Sequence, residues 1–124
     1  MGIKILIVDD EPLIVDEVKE TLNDEGYDCF SANNVNDAID IARNNSDIDL
    51  ILTDLNMPGK SGLDFISIME AEFNHKFTFI VMSGHGSSDV ESAITAQGFN
   101  FLRKPIDVDY LVDTVNSKLK RKVK

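Results

Sequence analysis

Short apolar runs and helical-period stripes alternate along this chain. Ile3 to Val8, Ile48 to Thr53, Phe77 to Met82 and Phe99 to Leu102 are compact runs rich in Ile, Val and Phe, as in strands buried on both faces. A fifth run, Tyr27 to Ala32, is more mixed and lies between Gly26 and the Asn33-Asn34 pair, which predicts an edge strand with one wetter face. Ile14, Val15, Val18 and Leu22 fall on one helix face, with Pro12 suited to a first helical position and Gly26 to a terminator. This predicts a helix from about Pro12 to about Glu25. Val35, Ala38, Ile39 and Ala42 form a second stripe behind Asn34 as a cap, and Leu63, Ile66, Met69 and Phe73 a third after Gly62. Val90, Ala93, Ile94 and Gln97 give a weaker fourth stripe. A last helix after Pro105, capped by Asp107, carries Leu111, Val115 and Leu119 on one face.

Strict alternation of strand and helix with short connections predicts an α/β fold, a doubly wound parallel sheet with helices on both faces. Parallel strands need crossovers, and those crossovers are right-handed. In such sheets ligands sit at the carboxyl ends of the strands, near the topological switch point. The residues that follow each strand are therefore the ones to inspect.

The first strand runs into Asp9-Asp10-Glu11 and the third into Asp54. Singly, such acids suit a helix N-terminus or a turn. Grouped on one rim they repel one another unless a cation neutralises them, and hard oxygen ligands of this kind favour Mg²⁺ (or Mn²⁺) completed by a phosphate oxygen. The fourth strand ends in Ser83-Gly84 and the fifth is followed by Lys104-Pro105. A hydroxyl donor and an ammonium thus reach the same rim, one able to bond a phosphoryl oxygen and the other to neutralise it.

Composition narrows the picture without changing it. The 124 residues suit one domain, with 43% hydrophobic and 27% charged residues, ordinary for a globular chain with a true core. A formal charge of -10, from 12 Lys and Arg against 22 Asp and Glu, disfavours direct contact with nucleic acid or anionic lipid. The basic end, Lys118, Lys120, Arg121, Lys122 and Lys124, complements a helix C-terminus and reads as a tail or the start of a linker. Cys29 is the single cysteine, which excludes an intramolecular disulfide and a cysteine metal cage. With no signal-like N-terminus and no membrane-length apolar run, a cytoplasmic protein is expected.

Four motifs, in order, carry a resemblance: Ile7-Val8-Asp9-Asp10-Glu11-Pro12, Leu52-Thr53-Asp54-Leu55-Asn56-Met57-Pro58-Gly59, Met82-Ser83-Gly84, and Phe101-Leu102-Arg103-Lys104-Pro105. Across essentially its whole length the chain resembles the receiver domain of bacterial two-component response regulators, the CheY-like superfamily. The resemblance implies a flavodoxin-like sheet of five strands in the order 2-1-3-4-5. It implies that Asp54 is the phosphoacceptor, attacking the phosphorus of a sensor histidine kinase's phosphohistidine, of a phosphotransfer protein or of a small acyl phosphate. Asp9, Asp10, Asp54 and the backbone carbonyl of Asn56 would hold Mg²⁺, Ser83 would bond the phosphoryl group and Lys104 would pair with it. Phe101 would be the switch aromatic that follows Ser83, and Lys104-Pro105 a cis peptide. By the same resemblance, Asn56 and His85 would be the residues that modulate water attack on the phosphoaspartate. Such a domain catalyses only its own phosphorylation and dephosphorylation. Its signal would pass to a downstream protein, or to a second copy in a homodimer, through the fourth helix, fifth strand and fifth helix.

Three positions depart from the family's usual residues: Ser83 where Thr is frequent, Gly84 where Ala is usual, and Phe101 where Tyr is common. None removes a catalytic group. Rival readings are weaker. A flavodoxin-like FMN carrier would offer Ser, Thr and Gly donors where Asp9-Asp10-Glu11 stands. A metal-dependent phosphatase would carry its nucleophile and a second acid at the end of the first strand. A phosphorylation-independent interaction module has little need for Asp9, Asp10, Asp54, Ser83 and Lys104 together.

Overall fold

The structure is a computed structural model that describes residues 3–45, 47–55, 61–74, 77–84 and 88–119. Strands and helices alternate as β1 (Lys4–Val8), α1 (Pro12–Asp24), β2 (Asp28–Ala32), α2 (Val35–Asn44), β3 (Leu50–Asp54), α3 (Gly62–Phe73), β4 (Thr78–Ser83), α4 (Ser88–Ala96), β5 (Asn100–Arg103) and α5 (Val108–Lys118). The strands form one parallel sheet in the order β2-β1-β3-β4-β5. This is the flavodoxin-like α/β fold, and its order reverses direction between β1 and β3.

Period-2 alternation along the strands divides the core into two layers. Leu6, Val8, Ile51, Phe79, Val81 and Phe101 face one side and pack with Ala38, Ala42, Phe65, Met69 and Ile94 from α2, α3 and α4. Ile5, Ile7, Leu50, Leu52, Ile80, Met82 and Leu102 face the other and pack with Val18, Leu22, Leu111 and Val115 from α1 and α5. Burying each large aliphatic side chain contributes about 1.5–3 kcal/mol. Central β3 is buried at every position, including the polar Thr53 and Asp54 at its end. On the α2–α4 side, Phe79 meets Phe65 and Phe99 edge-on, at centroid distances of 6.4 and 6.1 Å.

Edge strand β2 behaves as its mixed sequence predicts, with Asp28 exposed and Cys29 and Ala32 buried. The run at Phe99 to Leu102, expected among the buried strands, forms the opposite edge. In β5 only Phe101 and Leu102 are buried, and Arg103 is exposed. A four-residue strand flanked by helices looks apolar enough to be central, so composition did not separate the two cases.

Local chemistry sets the helix ends. Asn34 caps α2 by accepting from the Asp37 amide at 2.8 Å, and Asp107 caps α5 by accepting from the amides of Asp109 and Tyr110. For α3 the cap is Ser61, whose Oγ accepts from the Asp64 amide at 3.1 Å, so Gly62 is the first helical residue rather than the residue before it. Gln97 lies just past the end of α4 and Leu119 is the C-cap of α5. At the N-terminus of α1, Pro12 sits in the first turn as expected, but Glu11 occupies the N-cap and its side chain makes no capping bond. Among the described residues no helix is long and apolar enough to cross a membrane.

Candidate functional site

Register brings the strand ends together. Val8 pairs with Thr53, Asp54 with Met82 and Ser83 with Arg103, so the residues following β1, β3, β4 and β5 share one rim. Asp9 is fully buried, Asp54 is 4% exposed and Ser83 is 1% exposed. The Asp9 amide donates to the Ala32 carbonyl, and Asp9 Oδ1 accepts from the Glu11 amide at 3.0 Å, fixing its carboxylate.

Lys104 is the hub of this rim. Its Nζ lies 2.8 Å from Glu11 Oε1, 2.9 Å from Asp9 Oδ2 and 3.4 Å from Asp54 Oδ2. Burial disfavours its charged form, but the hydrogen bond to Glu11, the contact with Asp9 and the negative charge of Asp54 outweigh that, and the Lys104 pKa is raised well above the ordinary lysine value. Its amide donates to the Ser83 carbonyl at 3.1 Å, and the Lys104–Pro105 bond is cis. Phe101 is buried and packs with the core on the α2–α4 side.

Ligand atoms of Asp9, Glu11 and Asp54 lie within 4.8 Å of one another. Among the described residues, three carboxylates facing one ammonium carry a residual charge of about two negative units when all are ionised, which suits a divalent cation. Asp9 Oδ2 supplies a second indication. It is buried and, among the described residues, receives no directed hydrogen bond, although Lys104 Nζ stands in ion-pair contact at 2.9 Å. A buried carboxylate oxygen with an open lone pair fits a metal ligand.

Asp10, expected beside Asp9 as a ligand, does not join this group. Successive residues leaving an extended strand point to opposite sides. Asp10 is exposed and lines a cavity of about 530 Å³ between α1, β2 and α2, with Asp16, Asp37 and Asp40. Glu11, not singled out as a ligand in the sequence reading, is the acid that stands with Asp9 and Asp54 beside Lys104. Asn56 and His85 lie outside the described residues, as do residues 120–124 of the basic end.

Gly62, read in the sequence only as the residue before a helix, also belongs to the site's architecture. Its amide donates to the Leu55 carbonyl at 2.8 Å and brackets residues 56–61. A Cβ on Gly62 would lie 2.3 Å from the Asp54 carbonyl oxygen and 2.9 Å from Leu55 Cα. Only a residue without a side chain lets α3 approach the end of β3 so closely.

A doubly wound sheet with a carboxylate and ammonium cluster at its strand ends defines a CheY-like module. A family model described as the response regulator receiver domain matches residues 5–116. The chain belongs to this family, the receiver domains of two-component response regulators. It is 37% identical over 119 residues to response regulator protein PilR of Pseudomonas aeruginosa, covering 94% of this chain but only 26% of PilR. Identity is 32% over 120 residues to sporulation initiation phosphotransferase F of Bacillus subtilis, covering 96% of this chain and 95% of that protein. Among solved structures, the response regulator receiver domain protein of Clostridium thermocellum superposes with a TM-score of 0.86 at 30% identity, covering 96% of this chain and 95% of that one.

Proposed function

We propose that this receiver accepts a phosphoryl group on Asp54 from the phosphohistidine of a sensor kinase or phosphotransfer protein. The observation that carries the reading is the placement of Asp54 Oδ2, nearly buried, 3.4 Å from Lys104 Nζ and inside the Asp9 and Glu11 cluster. An ionised Asp54 needs no general base. One of its oxygens forms the new O–P bond as the donor's N–P bond breaks, and the electron pair of that bond leaves with the imidazole, which is reprotonated from solvent. Lys104 offers N–H donors where charge spreads over the transferring oxygens, and Ser83 offers one hydroxyl. Burial of Asp54 restricts the approach of other nucleophiles and orients the carboxylate.

Asp9 and Asp54, with Asp10 at the next position, are the residues that would hold Mg²⁺ or Mn²⁺, while Glu11, paired with Lys104, adds negative potential beside them. A bound divalent ion supplies charge neutralisation to the transferring oxygens. The phosphorylated rim would then bias Ser83 and Phe101 between two packings. The affected surface is that of α4, β5 and α5, which presents a cavity of about 290 Å³ lined by Glu91, Phe101, Arg103 and Tyr110 among others. Tyr110 is 56% exposed there, which suits a downstream protein or a second copy. Residues 1–124 act as one receiver unit in this reading, in the cytoplasm, with 118–124 as a tail or linker.

Intact mass after incubation with acetyl phosphate and Mg²⁺ tests the reading, beside Asp54→Ala and an EDTA control. One added phosphoryl group, lost in both controls, is expected. Labelling that persists in Asp54→Ala would place the acceptor elsewhere and overturn it.

A further inference from the structure

We propose that Glu11 is a positioning residue: in the unphosphorylated protein its carboxylate holds the Lys104 ammonium, and it must yield that ammonium when Asp54 is phosphorylated. The proposal rests on the reading of Asp54 as phosphoacceptor.

Three observations carry it. First, the contact from Lys104 Nζ to Glu11 Oε1, 2.8 Å, is shorter than its contact to Asp54 Oδ2, 3.4 Å. The ammonium is therefore drawn toward Glu11 and away from the group that would carry the phosphoryl. Second, Glu11 stands at the N-cap of α1 yet makes no side-chain cap, whereas Asn34, Ser61 and Asp107 all cap their helices. Its carboxylate leaves the amides nearest to it and reaches a lysine 93 residues away. Third, the Glu11 side chain is 59% exposed while that of Lys104 is 11% exposed. Glu11 can swing toward water at little cost, but Lys104 cannot, so the ammonium changes partners by release of Glu11.

A dianionic phosphoryl group on Asp54 repels a carboxylate within 4.8 Å and competes with it for the same N–H donors. Glu11 therefore favours the resting state. A pair with one partner so exposed biases such an equilibrium about two- to fivefold.

Glu11→Gln and Glu11→Ser test this with two readouts. The first is the rate at which an amine-specific reagent labels Lys104 in the unphosphorylated protein, read by peptide mass spectrometry. The second is the steady-state phosphorylated fraction with acetyl phosphate and Mg²⁺. Both should rise about two- to fivefold in each variant. Glu11→Ser supplies a conventional N-cap, so its melting temperature should not fall, and a gain in phosphorylation there does not come from a loosened fold. Unchanged Lys104 labelling would overturn the proposal. So would a lower phosphorylated fraction with weaker Mg²⁺ binding by calorimetry, which would make Glu11 a metal ligand first. If the wild type takes no phosphoryl group at all, the acceptor reading fails, and Lys104 labelling still decides whether Glu11 holds the ammonium.

Discussion

Replacing Gly62 with alanine sets two parts of the physics against each other. On helix propensity alone alanine should be favoured over glycine, by roughly 0.5–1 kcal/mol in a helix interior and by less at this first helical position. The added Cβ, however, meets the Asp54 carbonyl oxygen at 2.3 Å, Leu55 Cα at 2.9 Å and the Asp54 carbonyl carbon at 3.1 Å, all of them backbone atoms. Reaching ordinary contact requires the end of β3 and the start of α3 to separate by about 1 Å, and overpacking of this kind costs about 1–3 kcal/mol. The same shift moves Asp54, and displacements near 1 Å can cost on the order of 100-fold in a positioned reaction. The matched control is Gly84→Ala. There the new Cβ meets Lys104 Cβ at 3.4 Å and the backbone is not in the left-handed region. Urea denaturation should show Gly62→Ala less stable by about 1–3 kcal/mol and Gly84→Ala neutral or stabilised by about 0.4–1 kcal/mol. Initial rates of acetyl phosphate labelling should fall by at least tenfold in the first variant and by less in the second. A Gly62→Ala protein as stable as wild type and labelled at the same rate would refute the close-approach reasoning.

Three further outcomes are expected. Lys104→Ala removes the ammonium that pairs with the buried Asp9 and Asp54; it should destabilise the fold by about 3–5 kcal/mol in urea denaturation and abolish acetyl phosphate labelling. Burial, with a smaller push from Asp28 against the opposing charge of Lys19, raises the Cys29 pKa from 9.0 to about 11. Because the folded value is the higher one, this stability is present below pH 9.0 and lost as pH rises toward 11. The loss should reach about 2 kcal/mol by pH 10.5 and be absent in Cys29→Ala, a window that ends where the Lys104 contribution begins to fade. Leu13 is 83% exposed at the start of α1, beside the rim. Leu13→Ser should change stability by less than about 0.5 kcal/mol in urea denaturation and leave acetyl phosphate labelling intact.

Much of the fold was legible because its signals are local. Two-residue alternation and helical stripes survive in the sequence whatever the tertiary context, and Asn34, Asp107 and Pro12 act through amides within a few positions. The strand order was not local information. Runs as apolar as Phe79 to Met82 and Phe101 to Leu102 read alike, yet one is central and the other an edge. Only the four-motif resemblance supplied the order, and pairing across the sheet then confirmed it.

The site divides along the same line. Asp9, Asp54, Ser83 and Lys104 could be singled out because a parallel sheet delivers all its strand ends to one rim, so position after a strand is enough. The choice between Asp10 and Glu11 could not be made that way. Both follow β1 within three residues and both are acids, and their directions depend on how the chain turns from extended Asp9 into the first turn of α1. The run of three acids before Pro12 was the available signal, and it marks Glu11 as a helix-start residue as readily as a site residue. What separates the two meanings is the ammonium of Lys104, which arrives from the far edge of the sheet and draws Glu11 away from its own helix. Gly62 is the same case without charge: its role is set by the Asp54 carbonyl, and nothing in a stripe of apolar residues encodes the distance to it.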